Sequence, residues 1–212
     1  MKRLSVFLTL FLAACGSGGG SDPASVGKVL NVYQPACPPV AIMILHQGHA
    51  PFDGGGTEVY NLVPVAEAFA EHCLVVYAME MPAWPHEEGP IERYYQHVID
   101  LLDTFVNLYG SLPVYMSGFS GGGWTTAVMT AMDQRIVKGY SVDGDPANED
   151  WEQVNTPYGW PALYEMAGDR LMHINPSIGS NDPNYRFVRD PSTRQHTFSP
   201  WAVGYIITDL GL

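Results

Sequence analysis

Residues 112–133 read LPVYMSGFSGGGWTTAVMTAMD. A short apolar run, residues 114–116, leads into Gly118-Phe119-Ser120-Gly121-Gly122, and small, helix-compatible residues follow from Trp124 to Met132. That order predicts a strand, a sharp turn and a helix, with Ser120 at the apex. A serine can attack a substrate only if its hydroxyl stands clear of the backbone, and a strained turn achieves this. Strand and helix then pass close together, so the positions two before and two after the serine must be small, and both are glycine. In a chain with 22 glycines these five letters alone are weak, because a glycine-rich turn ahead of a helix N-terminus would satisfy them too. The flanking segments decide the reading.

Working outward, the neighbouring segments alternate in kind. Residues 40–45 form a continuous apolar run suited to a buried parallel strand, ending in His46-Gln47-Gly48-His49. Residues 28–34 and 73–78 are further strands, with Cys37-Pro38-Pro39 as a turn. Residues 61–72 have helical periodicity with Pro64 in the first turn. Residues 92–109 predict the clearest helix, with Tyr94, Val98, Leu101, Leu102, Phe105 and Leu108 as one core-facing stripe and Gly110 as its stop. Beyond the serine, residues 136–142, 171–178 and 185–188 predict strands, and residues 201–210 a final helix. Strands alternating with helices imply an α/β fold, a mostly parallel doubly wound sheet with helices on both faces.

Residues 40–142 resemble the core of a minimal α/β-hydrolase. The resemblance rests on H-x-G-H after a strand, on Met81-Pro82 closing the next, and on S-G-G-G-W-T-T from Ser120 to Thr126. The likeness is to secreted and extracytoplasmic serine esterase-like hydrolases, and it weakens after Asp143. It implies that Ser120 is a nucleophile at an elbow. It also implies that backbone N–H groups of Gly121 and of the Gly48–His49 loop bind the oxyanion, and that an acid and a histidine follow in that order. His46 and His49 stand near Asp53 and Glu58 and leave a metal site open as the alternative, although no third ligand has zinc-site spacing.

Two histidines follow Ser120. His173 lies inside an apolar run and reads as core; His196 sits in a polar loop before the last helix, where the family keeps its general base. Four aspartates compete for the acid. Asp182 follows the strand at 171–178 and is the first choice, yet it precedes the last strand by only three residues, too few for a crossover helix between parallel strands. Either that edge is antiparallel or the acid is Asp169, Asp143 or Asp190; Asp190 also suits a loop anchor. Residues 144–161 alone are long enough for a minimal cap. Their Trp151, Tyr158 and Trp160 suit an acyl pocket wall or a cover for the sheet edge equally.

The N-terminus reads as an address. Lys2 and Arg3 precede an apolar stretch too short to span a bilayer, and Leu12-Ala13-Ala14-Cys15 resembles the lipoprotein signal, which implies a lipidated (palmitate-bearing) Cys15 and an envelope location. A plain signal peptide of a secreted protein is the alternative. Residues 1–14 are then the signal, 15–27 a flexible tether and 28–212 one catalytic domain. Loss of Lys2 and Arg3 moves the formal charge from −12 to −14, so a nucleic-acid partner is excluded for want of a basic surface. Cys37 and Cys73 form a disulfide or remain two buried thiols.

These readings converge on ester hydrolysis by Ser120, His196 and an aspartate, acting on a small-molecule ester and needing no metal or organic cofactor. A peptidase or acyltransferase with the same triad, or an inactive binding protein of the same fold, is the alternative.

Overall fold

The computed structural model describes residues 29–81, 92–144, 158–176 and 180–212. The signal, the tether, Trp151 and most of the expected cap lie outside these residues. Among the described residues the strands are β1 (Val29–Tyr33), β2 (Ala41–His46), β3 (Leu74–Met79), β4 (Val114–Phe119), β5 (Ile136–Val142), β6 (Leu171–Ile174) and β7 (Phe187–Val188). They form one sheet in the order β1-β3-β2-β4-β5-β6-β7. β1 pairs with β3 antiparallel and every other pairing is parallel. The α/β class and the mostly parallel sheet are therefore as expected.

The helices are α1 (Val63–Glu71), α2 (Glu92–Tyr109), α3 (Gly121–Met132), α4 (Trp160–Ala167) and α5 (Pro200–Leu210). They divide the core into two layers by the period-two rule for strands. Ile42 and Ile44 of β2 enter one layer with Val98, Leu102 and Phe105 of α2 and Trp124 and Val128 of α3. Met43 and Leu45 enter the other with Phe69 of α1 and Ala202 and Ile206 of α5. Covering both faces lets β2 and β3 be buried along their whole length.

One expectation changes, and two open alternatives are narrowed. Leu108, placed in the α2 stripe, is 58% exposed, because its neighbour Tyr109 is the residue of the last turn that meets β3, with its hydroxyl 2.7 Å from that of Tyr77; Tyr95 and His97 are buried as well. Of the two readings of Trp160, the covering one fits its packing. The residue opens α4, is buried, stacks on Tyr164 with ring centroids 5.9 Å apart and meets Trp124 edge-on at 6.4 Å. The last strand pairs parallel to β6, not antiparallel. β6 stops at Ile174, four residues before the expected end, so the return to β7 starts earlier.

Cys37 and Cys73 form a disulfide that ties the turn before β2 to the start of β3. His173 is buried in β6 against the Tyr185 ring at 4.6 Å, a core residue.

Candidate active site

Parallel pairing sets the ends of β2, β4, β5 and β6 along one edge of the sheet, the place where open α/β sheets hold their ligands. His46 pairs with Gly118, Phe119 with Val142, and Val142 with Ile174. Ser120, Asp143 and Asn175 are the next residues of their strands, and all three have positive φ.

Ser120 has φ 56° and ψ −123°, a conformation that a side-chain-bearing residue holds only under constraint. The constraint is the close passage of strand and helix. A Cβ on Gly118 would lie 2.1 Å from the Gly122 carbonyl oxygen, and one on Gly122 would lie 2.2 Å from the His46 oxygen. The G-x-S-x-G spacing is thus a packing requirement. Gly121 opens α3, so its N–H is one of the first-turn donors that the helix itself leaves unpaired.

The loop after β2 packs directly on this turn. A Cβ on Gly48 would lie 2.7 Å from the Gly121 nitrogen, and one on Gly121 would lie 2.7 Å from the His49 Cε1 and 2.4 Å from the Met81 Sδ. The loop is braced by Gln47. Its Nε2 donates to the Tyr60 and Pro51 carbonyls at 2.5 and 3.2 Å, while its Oε1 accepts the Gly48 N–H at 3.0 Å. Gly48, expected to donate to an oxyanion, therefore has its N–H committed to its neighbour's side chain. Among the described residues no three His, Cys, Asp or Glu side chains converge as a metal site.

His196 is brought to the elbow through rings. Its imidazole packs on Phe119, the residue before Ser120, at 4.7 Å and edge-on to Tyr60 at 6.2 Å. Burial lowers its pKa; burial and then the nearby His196 lower that of His49. Next to His196, the Thr197 N–H donates to Asp143 Oδ2 at 3.0 Å. This bond fixes the His196 loop against the end of β5. Asp143 is pushed up to about 7, by burial first and the Asp190 charge as well, against the Thr197 hydrogen bond and Arg189.

The other three aspartates have different tasks. Asp182 accepts the Asn184 N–H on its carboxylate and the Tyr185 N–H on its carbonyl, forming the turn into β7. No hydrogen bond or ring contact joins it to His196. Because β6 ends at Ile174, the residue directly after that strand is Asn175, whose Oδ1 accepts the Asp190 N–H at 2.9 Å. Asp169 precedes β6, at the opposite end of the sheet from Ser120, and pairs with Arg186 on the surface. Asp190 is buried; burial would raise its pKa, but bonds from Ser192 and Ser199 hold it low. Ser199 in turn caps α5 by accepting the Ala202 N–H. Asp190 is a loop anchor. The signal for Asp143 in the sequence was its position at the end of residues 136–142.

No protein-family model matches the chain, and no curated protein sequence matches it. Solved structures do. Est1E from Butyrivibrio proteoclasticus superposes with a TM-score of 0.60 at 12% identity, over 85% of this chain and 93% of that one, and it has also been solved with ferulic acid bound. FphF, a fluorophosphonate-binding serine hydrolase of Staphylococcus aureus, gives 0.55 at 14% identity over 88% and 96%. XC6422 from Xanthomonas campestris, a serine hydrolase without a lid, gives 0.52 at 15% over 91% and 98%. This chain has the α/β-hydrolase fold.

Proposed function

We propose that this protein is a serine hydrolase that cleaves carboxylic esters through an acyl-enzyme, with Ser120, His196 and Asp143 as its triad. The observation that carries the reading is Ser120 at a strained apex with the His196 ring packed on Phe119 beside it, while Asp143 holds the residue after His196. Asp143 replaces Asp182 because its carboxylate is bonded within the His196 loop and that of Asp182 is bonded within its own turn.

In this mechanism Ser120 Oγ attacks the ester carbonyl and passes its proton to His196. The N–H groups of Gly121 and His49 stabilise the oxyanion, at about 3 kcal/mol for each donor. Collapse expels the alcohol, which takes the proton from His196. Water, activated by the same imidazole, then releases the acid and restores Ser120. Asp143 orients the imidazole and offsets its charge. The lowered pKa of His196 keeps it in the neutral, proton-accepting form at neutral pH.

The test is labelling with a fluorophosphonate and turnover of 4-nitrophenyl esters, with Ser120→Ala as the control. Labelling and turnover that vanish in Ser120→Ala support the reading. A wild-type chain inert to both overturns it. A panel of alkyl, feruloyl and peptide substrates then separates esterase from peptidase. Anchoring is proposed from the sequence: Cys15 carries lipid and holds the domain at the cell envelope, in the outer membrane or at the surface.

A further inference from the structure

Behind the loop that faces Ser120 lie two histidines with no part in the proposed proton transfers. His46, the last residue of β2, is fully buried, and His97 of α2 is 3% exposed. Their Nε2 atoms are 2.9 Å apart and their ring centroids 5.1 Å apart. The His46 Nδ1 lies 2.7 Å from the Gln47 carbonyl oxygen. A carbonyl can only accept, so His46 carries its proton on Nδ1. Burial, with His97 beside it, lowers the His46 pKa to about 3, so the ring is neutral and its Nε2 is bare. That nitrogen accepts the His97 Nε2–H. The donation runs in one direction, from His97 to His46 to the Gln47 carbonyl.

The Gln47–Gly48 peptide is therefore held at both ends. The His46 imidazole holds its C=O, and the Gln47 side chain holds its N–H. Gly48 abuts the Gly121 nitrogen and the Ser120 Cβ, so a rotation of this peptide would reach both the oxyanion donor and the nucleophile. We infer that His97 is a positioning residue: by donating to His46 it fixes the tautomer that clamps the Gln47 carbonyl and so holds the loop in its oxyanion-binding geometry. The inference rests on the proposed hydrolase activity and assigns the geometry of its oxyanion site to a residue on α2, outside the triad.

Two substitutions at His97 test it. His97→Leu removes the donor at similar volume, and His97→Gln restores an N–H that can reach His46. With 4-nitrophenyl butyrate, His97→Leu should lower kcat about tenfold or more and change KM less than about threefold, the pattern of an interaction made mainly in the transition state. Inhibition by phenylboronic acid, whose tetrahedral adduct uses the same donors, should weaken by a similar factor. His97→Gln should recover most of both. An unchanged kcat in a folded His97→Leu overturns the inference, as does a His97→Gln variant, folded as judged by its melting transition, that is as impaired as His97→Leu. If the wild type proves inert, the hydrolase reading fails by itself and imidazole 15N NMR still decides the clamp. His46 protonated on Nδ1, with Gly48 and Gly121 amide signals that move in the variant while Gly110 stays, supports it. His46 protonated on Nε2 ends it.

Discussion

At the scale of single residues, the two ends of the proposed triad sit in opposite environments. Ser120 needs strain and exposure, which the flanking glycines permit, whereas Asp143 sits in a partly buried seat that raises its pKa to about 7 and so works against its ionised form. Ser120→Ala and His196→Ala should each lower ester turnover by several orders of magnitude, and the double variant should be hardly worse than either, because the members act as a unit. Asp143→Asn should lower turnover strongly, while Asp182→Asn, Asp169→Asn and Asp190→Asn stay within a small factor; Michaelis kinetics on the four variants checks this. Activity should climb as pH rises through about 7, as Asp143 ionises. Stability should move the other way. A carboxyl whose folded pKa is raised contributes stability that is full below its unfolded value, near 3.8, and is lost as pH rises through the folded value. Thermal unfolding of wild type against Asp143→Asn between pH 4 and 8 should show the variant gaining on the wild type across that window.

At the scale of elements, the core and the covalent tie can be separated from the chemistry. Trp160 packs on Trp124 and Tyr164 inside the layer shared by α3 and α4. Trp160→Ala should cost about 3–5 kcal/mol by urea unfolding, without changing the preference among ester chain lengths. A change in preference without loss of stability would return this ring to the pocket. The disulfide closes a loop with a sequence separation of 36 between Cys37 and Cys73. On the chain-entropy model its removal in a Cys37→Ala/Cys73→Ala variant costs about 4 kcal/mol. Equilibrium unfolding with and without reductant measures this, and the reduced wild type should match the variant.

For the whole molecule, the remaining question is where the domain works. With residues 1–14 removed, the formal charge of −14 opposes binding to anionic lipid, so the proposed attachment at the envelope rests on the Cys15 lipid. Cys15→Ser should move the protein from the detergent phase to the aqueous phase on Triton X-114 partitioning, with its turnover intact. Unchanged partitioning would remove the anchor. Among the described residues no helix is long and apolar enough to cross a membrane.

The sequence by itself determined what local patterning determines. Unbroken apolar runs marked the buried strands β2 and β3, the 3.6-residue stripe marked α2, and the glycines two before and two after Ser120 marked the elbow, because each of these is a demand made within a few residues. It also narrowed the proposed base to His196, the polar histidine after the elbow. The acid was not legible. Four aspartates follow or flank strands, and which one meets His196 depends on where β6 ends and how the chain returns to β7, a matter of pairing across the sheet. The burial of Trp160 and the meeting of His46 with His97 were equally hidden. Each joins a side chain to a backbone or ring whose position is set by the packing of α2, α3 and α4 on the sheet, and no spacing along the chain encodes it. Only the tertiary structure brings Asp143 to the His196 loop, because strand register, unlike strand propensity, is a property of the assembled sheet.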